Sequence, residues 1–95
     1  MSRPAYTYKG FQLYIACPCV YRIARRDETL AIFERPHRGK TGKNREVYMY
    51  NTSDWNTYAL MSAKNEGERY GKMTARDAFH HWVDKHYGDT YACKN

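Results

Sequence analysis

Residues 11–33 read FQLYIACPCVYRIARRDETLAIF, and this stretch decides the fold class. Phe11, Leu13 and Ile15 alternate with the residues between them, and Val20–Arg25 repeats the alternation. A period of two is typical of half-buried strands, and Leu30–Phe33 forms a third segment rich in apolar residues. Only a few residues connect these segments, which is too short for parallel crossovers. The stretch therefore predicts an antiparallel meander.

Two more segments extend this meander into an α+β domain. Val47–Tyr50 is short and aromatic, which suits a fourth strand. Thr74–Asp77 has the form of a capping box, and Gly88 fits the end of the helix that it starts. Apolar positions recur at helical spacing after Thr74: Ala75, Ala78, Phe79, Trp82, Val83 and His86. We predict an antiparallel sheet of three to four strands with a C-terminal amphipathic helix packed on one face.

The segment between the fourth strand and this helix allows two interpretations. Residues Asp54–Lys64 would form a helix that begins after Ser53 and ends near Gly67. Thr57–Met61 would equally form a strand. Helix propensity favours the first interpretation, and the state of residues 54–65 stays open at this point.

Length and composition are those of one small globular domain. The chain has 95 residues, which predicts a single domain spanning residues 1–95. No apolar leader and no stretch long enough for a membrane span is present in the sequence. Three cysteines, an odd number, fit a reducing compartment better than a disulfide framework. These features predict a cytoplasmic protein without a membrane partner.

The net charge of +6 is unevenly distributed. Residues 1–26 and residues 35–45 each contain five basic residues and no acidic one, whereas the half that starts at Glu46 is close to neutral. Such asymmetry indicates an acidic partner, which would be nucleic acid, a nucleoprotein complex or an acidic protein surface. The alternative is a solvated surface that only maintains solubility.

Pro36–Lys43 contains no apolar residue to bury, and we expect it to be the exposed tip of a long basic hairpin. Lys and Arg side chains on such a loop neutralise several phosphates at once. The candidate contacts in and beside the loop are Arg38, Lys40, Lys43 and Arg45. Gly39-Lys40-Thr41 lacks the glycine four residues earlier that a P-loop needs, so a nucleotide-binding loop is not predicted.

A second candidate surface is the outward face of the sheet. The predicted layout places Arg22, Arg25 and Arg35 near Tyr14 and Tyr21. Aromatic rings interleaved with arginines stack well on unpaired bases. No RNP-type motif accompanies them, so reading of a specific RNA sequence is not predicted.

The cysteines allow a metal hypothesis. Cys17 and Cys19, with Cys93 and a histidine, have the ligand types of a zinc site. The chain has only one closely spaced cysteine pair, and small cysteines at a turn are the simpler interpretation. We therefore expect no metal and no cofactor.

The histidines allow an enzymatic hypothesis. His80 and Asp84 share a helix face, but no nucleophile is identifiable beside them. His37, in the basic loop, would serve as the general base of a small ribonuclease. No second catalytic group is indicated, so we expect a protein that is not an enzyme.

The opening Tyr8-Lys9-Gly10-Phe11, a short meander, a charged hairpin and a closing amphipathic helix resemble small accessory proteins of bacteriophages and mobile elements. Anti-CRISPR and anti-restriction inhibitors belong to this group. The resemblance implies a small, basic, non-enzymatic inhibitor that binds a host nucleic-acid-handling defence complex. The charge of +6 excludes mimicry of acidic DNA. One alternative is a protein that binds DNA or RNA directly, and a second is the small ribonuclease that uses His37.

Overall fold

A computed structural model describes residues 3–36 and 45–88. The elements in chain order are β1 (Tyr6–Tyr8), β2 (Phe11–Cys17), β3 (Val20–Arg25), β4 (Glu28–Glu34), β5 (Glu46–Tyr50), α1 (Trp55–Ala63), β6 (Glu68–Lys72) and α2 (Ala75–Tyr87). The predicted α+β class, the antiparallel sheet and the C-terminal helix are confirmed. The predicted number of strands is too low, because the described residues form six.

The six strands form one antiparallel sheet in chain order. Tight turns make this order possible: Lys9 and Gly10 both have positive φ (51° and 86°), as a two-residue hairpin turn of type I′ requires. Arg26 and Asp27 repeat the pattern with φ of 53° and 66°. The meander predicted from residues 11–33 is confirmed as β2, β3 and β4.

Helix α2 covers one face of the sheet and completes the core. Thr74 caps its first turn, where the Thr74 hydroxyl accepts a hydrogen bond from the Asp77 N–H at 3.1 Å. Phe79 and Trp82 are buried, as the helical spacing predicts. The Trp82 indole N–H also donates to the Asn51 side-chain oxygen at 2.8 Å, which satisfies the polar atom of a buried ring.

Helix α1 contacts the opposite face through polar groups. The helical interpretation of residues 54–65 is confirmed, although the cap is Asp54 rather than Ser53. None of the side chains of α1 is fully buried. The hydroxyls of Tyr58 and Ser62 donate to Glu34 of β4, and the Tyr58 ring packs edge-on against buried Tyr50 at 5.2 Å.

The two unpredicted strands are the edges of the sheet. β1 has only three residues, and β6 reads Glu-Arg-Tyr-Gly-Lys without an apolar alternation. Both are strands because they pair with a neighbour, β1 with β2 and β6 with β5. Edge strands with short or polar sequences carry little hydrophobic signal, which is why the pattern missed them.

The antiparallel order gives the molecule two distinct ends. We call one the hairpin end, where the Pro18-Cys19 turn, the Arg35-Pro36 end of β4, Arg45 before β5 and the Met73-Thr74 junction meet. The Arg35 N–H donates to the Cys19 carbonyl at 2.7 Å, and the Met73 N–H donates to the Arg45 carbonyl at 3.1 Å. The opposite end contains the turns at Lys9 and Arg26. None of the helices that the structure describes is long and apolar enough to cross a membrane.

Candidate binding site at the hairpin end

Arg45 holds the base of the basic connection. Its guanidinium donates to the carbonyl oxygens of Arg35 and Pro36, at 2.5 and 3.0 Å. A third contact, at 3.0 Å, reaches the sulfur of Cys19 in the neighbouring turn. The guanidinium has several donors in one plane, so a single side chain can bridge the Arg35-Pro36 backbone and the Cys19 turn. Arg45 thus ties the backbone that follows β4 to the start of β5 and to the Cys19 turn.

The structure places Arg35 differently from the expectation. The sequence pattern put it on the outward face beside Tyr14 and Tyr21, but its side chain is only 5% exposed. Its Nε donates to the Met73 carbonyl at 2.8 Å and so ties β4 to the start of α2. A buried guanidinium is retained where it satisfies backbone groups, and Arg35 acts here as a structural tie rather than a surface contact.

Residues 37–43 of the predicted basic loop lie outside the described residues, and they include the candidates His37, Arg38, Lys40 and Lys43. β4 and β5, on either side of them, pair as antiparallel neighbours, whereas the exposed tip of the predicted hairpin lies outside the described residues. Their contacts with a partner stay a prediction, and so does the ribonuclease hypothesis that depends on His37.

Tyr14 and Arg22 do form a pair. They are cross-strand neighbours on the face that carries α1, and the Arg22 guanidinium lies 4.2 Å from the centre of the Tyr14 ring. The same guanidinium donates to the Thr29 hydroxyl at 2.9 Å. Both side chains are half-buried, so the pair presents a flat, cationic and partly accessible surface.

Tyr21 and Arg25 lie away from that pair. Tyr21 is on the α2 face, where its ring stacks on buried Phe33 at 5.0 Å. Arg25 is at the opposite end of the sheet, where its guanidinium lies 5.0 Å from the rings of both Phe11 and Tyr87. The five residues assigned to one outward surface are therefore divided among two faces and two ends.

The sequence analysis missed a hydroxyl cluster around Glu34. The hydroxyls of Tyr58, Ser62 and Tyr50 donate to its carboxylate at 2.8, 3.0 and 3.2 Å. Burial raises the pKa of the Tyr58 phenol, and the hydrogen bond to Glu34 raises it further. A signal was present in the sequence, because Tyr58 and Ser62 are four residues apart and share a helix face.

Beside this cluster is a small polar cavity of about 290 Å³ at the hairpin end. Glu34, Glu46 and Tyr48 line it, together with Pro36. Arg69 donates to the Glu46 carboxylate at 2.7 Å, and this hydrogen bond lowers the pKa of the Glu46 carboxyl. The carboxylates of Glu34 and Glu46, beside the basic connection, therefore already accept hydrogen bonds from neighbouring side chains.

A larger open groove of about 670 Å³ lies on the other face of the hairpin end. Tyr6 from β1, Ile15 from β2 and Tyr21 from β3 line it, and the first turn of α2 forms the remaining wall. Ile15 continues the alternation of β2 beyond the part that α2 covers, and it remains 61% exposed. The sequence indicated that Ile15 faces this side but not that it is left uncovered.

The metal hypothesis finds no assembled group of ligands in the described part of the chain, and the acid–base hypothesis stays untested. Cys17 and Cys19 are free thiols, and no group of three or more potential ligands occurs among residues 3–36 and 45–88. The Asp84 carboxylate accepts hydrogen bonds from Tyr8 and Lys9, at 2.9 and 3.0 Å. Cys93 lies outside the described residues.

The comparisons with known proteins supply no relative. No family model matches the chain, and no curated protein or solved structure matches it. The functional conclusion therefore depends on the geometry of the hairpin end and on the charge pattern of the chain.

Proposed function

We propose that this protein is a non-enzymatic binding protein whose basic hairpin contacts an acidic surface of a nucleic-acid-handling complex and inhibits that complex. The observation that supports this proposal is the Arg45 bridge at the base of the hairpin. This bridge orders the two strand ends between which residues 37–44 lie in the chain. That segment contains three cations and no acidic residue.

Charge concentration makes this segment the strongest electrostatic feature of the chain. Three of the six net positive charges belong to its eight residues. Clustered cations accelerate association with an anionic partner and gain affinity by releasing its counterions. A base that is already ordered also lowers the entropy that binding must offset.

The positive charge of the basic hairpin also explains how the protein would inhibit its partner. A basic hairpin that covers an acidic protein surface, or the phosphates that a complex handles, would prevent normal access of nucleic acid. The resemblance to phage accessory proteins predicts this mode of action and a bacterial host as its setting.

A pull-down of the tagged protein from bacterial lysate, with and without nuclease treatment, tests the proposal. We expect a protein partner that survives nuclease treatment, together with loss of that partner's activity on nucleic acid when the pure protein is added. Partners that disappear on nuclease treatment would contradict inhibition through protein contact.

Direct binding of DNA or RNA is the second candidate. The stacked Tyr14 and Arg22 pair favours it, because aromatic rings and guanidinium planes both stack on bases. Bare nucleic acid distinguishes the two functions. A direct binder would show strong affinity that falls steeply with salt, whereas the inhibitor would bind its protein target far more tightly than bare nucleic acid.

A further inference from the structure

Two thiols at the hairpin end have no part in the proposed function. Cys17 is the last residue of β2, and Cys19 follows it after Pro18, in the turn that leads to β3. The Cys17 side chain is exposed, that of Cys19 is half-buried, and both are free thiols. An exposed thiol is accessible to a dissolved oxidant, and a neighbouring thiol can react with the oxidised product.

The turn brings the two cysteines within reach of each other. Cys17 and Val20 are paired residues of β2 and β3, so Pro18 and Cys19 form the turn between them. Cys19 has a positive φ of 69°, as the third position of a tight turn of type II requires. Because consecutive Cα atoms are about 3.8 Å apart, residues on either side of a single turn residue lie roughly 5–7 Å apart. Disulfides join Cα atoms about 4.4–6.8 Å apart, so this spacing is compatible with a bond between the two sulfurs.

Cys19 also connects this turn to the Arg45 bridge. Its sulfur accepts from the Arg45 guanidinium at 3.0 Å, and its carbonyl accepts from the Arg35 N–H at 2.7 Å. The same guanidinium donates to the carbonyls of Arg35 and Pro36. The sulfur contact therefore joins the cysteine turn to the backbone that follows β4.

We infer that Cys17 and Cys19 form a reversible modification site for hydroperoxides, and that oxidation of the pair to a disulfide releases Cys19 from Arg45. Disulfide geometry is specific, so a sulfur that bonds to Cys17 moves away from the guanidinium. Exposed disulfides are the labile and regulatory ones. In a reducing compartment, such as the odd number of cysteines indicates, disulfides are usually transient and redox-sensing.

The reaction balances with one hydroperoxide as the oxidant. The Cys17 sulfur attacks the terminal peroxide oxygen, the O–O bond breaks, and the thiol proton leaves with the departing oxygen as an alcohol or water. Cys17 is then a sulfenic acid. The Cys19 sulfur attacks the Cys17 sulfur, the S–O bond breaks, and the hydroxide takes the Cys19 proton and leaves as water. The two thiols lose two electrons and two protons, and the peroxide is reduced.

The test uses the full chain with Cys93→Ser, which leaves only the two thiols of the turn. The protein is treated with hydrogen peroxide, and its free thiols and intact mass are then measured under denaturing conditions. Cys17→Ser and Cys19→Ser in the same background are the matched controls, because each keeps one thiol and cannot form the bond within the chain.

We expect the Cys93→Ser protein to lose both thiols and two hydrogen atoms without gaining oxygen, and dithiothreitol to restore both thiols. The tryptic peptide of residues 10–22 contains both cysteines, so its mass locates the bond. Each single-thiol control should instead gain oxygen or form a dimer linked by a disulfide. A Cys93→Ser protein that gains oxygen on both sulfurs, or that keeps both thiols while the controls are oxidised, would overturn the inference.

Urea denaturation of the reduced and oxidised forms tests the release of Arg45. Oxidation should lower the urea midpoint of the Cys93→Ser protein, because the bridge loses its sulfur contact. With Arg45→Lys added, oxidation should lower the midpoint by less, since the bridge is already impaired. A midpoint that oxidation leaves unchanged or raises, or an equal decrease with and without Arg45→Lys, would contradict the coupling to Arg45.

The consequence for binding rests on the proposed function, because Arg45 orders the strand ends beside the basic connection. The oxidised protein should capture less partner than the reduced protein, and dithiothreitol should restore capture. Equal capture by both forms would overturn regulation through this pair and leave the proposed function intact. A reduced protein that captures no partner would contradict the proposed function, whereas the thiol and urea measurements would still decide the redox inference.

Discussion

Arg35 and Arg45 show that a run of basic residues in a sequence does not reveal the role of each arginine in it. Arg35 is buried and Arg45 is half-buried, and both donate to backbone carbonyls at the hairpin end. The sequence assigned both to binding because they belong to a run without acidic residues. Their actual contacts, with Met73 and Cys19, join residues far apart in the chain, and no local pattern reveals such contacts.

Arg45→Lys should lower the free energy of unfolding by about 1–3 kcal/mol, because an ammonium cannot reproduce the planar fork that reaches two carbonyls and a thiol. Urea denaturation of the wild type and the variant measures this difference. Arg26→Lys, in the exposed turn at the opposite end, should change stability by less than about 0.5 kcal/mol. Equal loss in both variants would contradict a bridging role for Arg45.

The hydroxyl cluster around Glu34 makes stability sensitive to high pH. The folded state raises the pKa of the Tyr58 phenol above its unfolded value, so the folded state keeps a proton that the unfolded state loses. The stabilisation is complete below the ordinary tyrosine pKa of about 10 and is lost as the pH rises beyond it.

Tyr58→Phe tests whether this phenol makes the stability depend on pH. The variant should be less stable at neutral pH, because the hydrogen bond to Glu34 is lost. Its stability should then fall less steeply than that of the wild type as the pH rises above about 10. Denaturant titrations at a series of alkaline pH values give both quantities, with Tyr6→Phe as the control. Parallel curves for wild type and Tyr58→Phe would show that this phenol does not contribute.

Among the elements, those with a strong hydrophobic period could be predicted from the sequence. The alternation of β2 and the helical spacing of α2 each indicate a buried face, and the short aromatic run of β5 indicates a strand. The edge strands do not, because pairing rather than burial defines them. The candidate site was predictable only as a charged hairpin, since the groove arises where three strands and the start of α2 meet.

The two helices should respond very differently to truncation. Trp82→Ala, on α2, removes a side chain that is only 4% exposed and should cost about 3–5 kcal/mol. Leu60→Ala, on α1, removes one that is 63% exposed and should change stability by less than about 0.5 kcal/mol. Thermal melts compare them directly. A melt unchanged by Trp82→Ala would contradict the packing of α2 on the sheet.

At the scale of the whole molecule, the fold engages the acidic groups at the end that carries the basic connection. The acidic side chains nearest the hairpin base are engaged: Glu46 accepts from Arg69, and Glu34 accepts from three hydroxyls. Residues 37–44, which contain three cations and no acidic residue, join β4 to β5 at this end. We expect clustered cations beside carboxylates that already have partners to attract an anionic molecule to this end.

The central claim is that the position of the hairpin cations, and not the total charge, selects the partner. The most direct measurement compares partner capture by two triple variants of equal net charge. In one, Arg38, Lys40 and Lys43 become Ser; in the other, exposed Arg3, Arg26 and Lys64 become Ser. The account predicts that only the first variant loses the partner bound by the wild type. Equal capture by both variants, or equal loss in both, would contradict it.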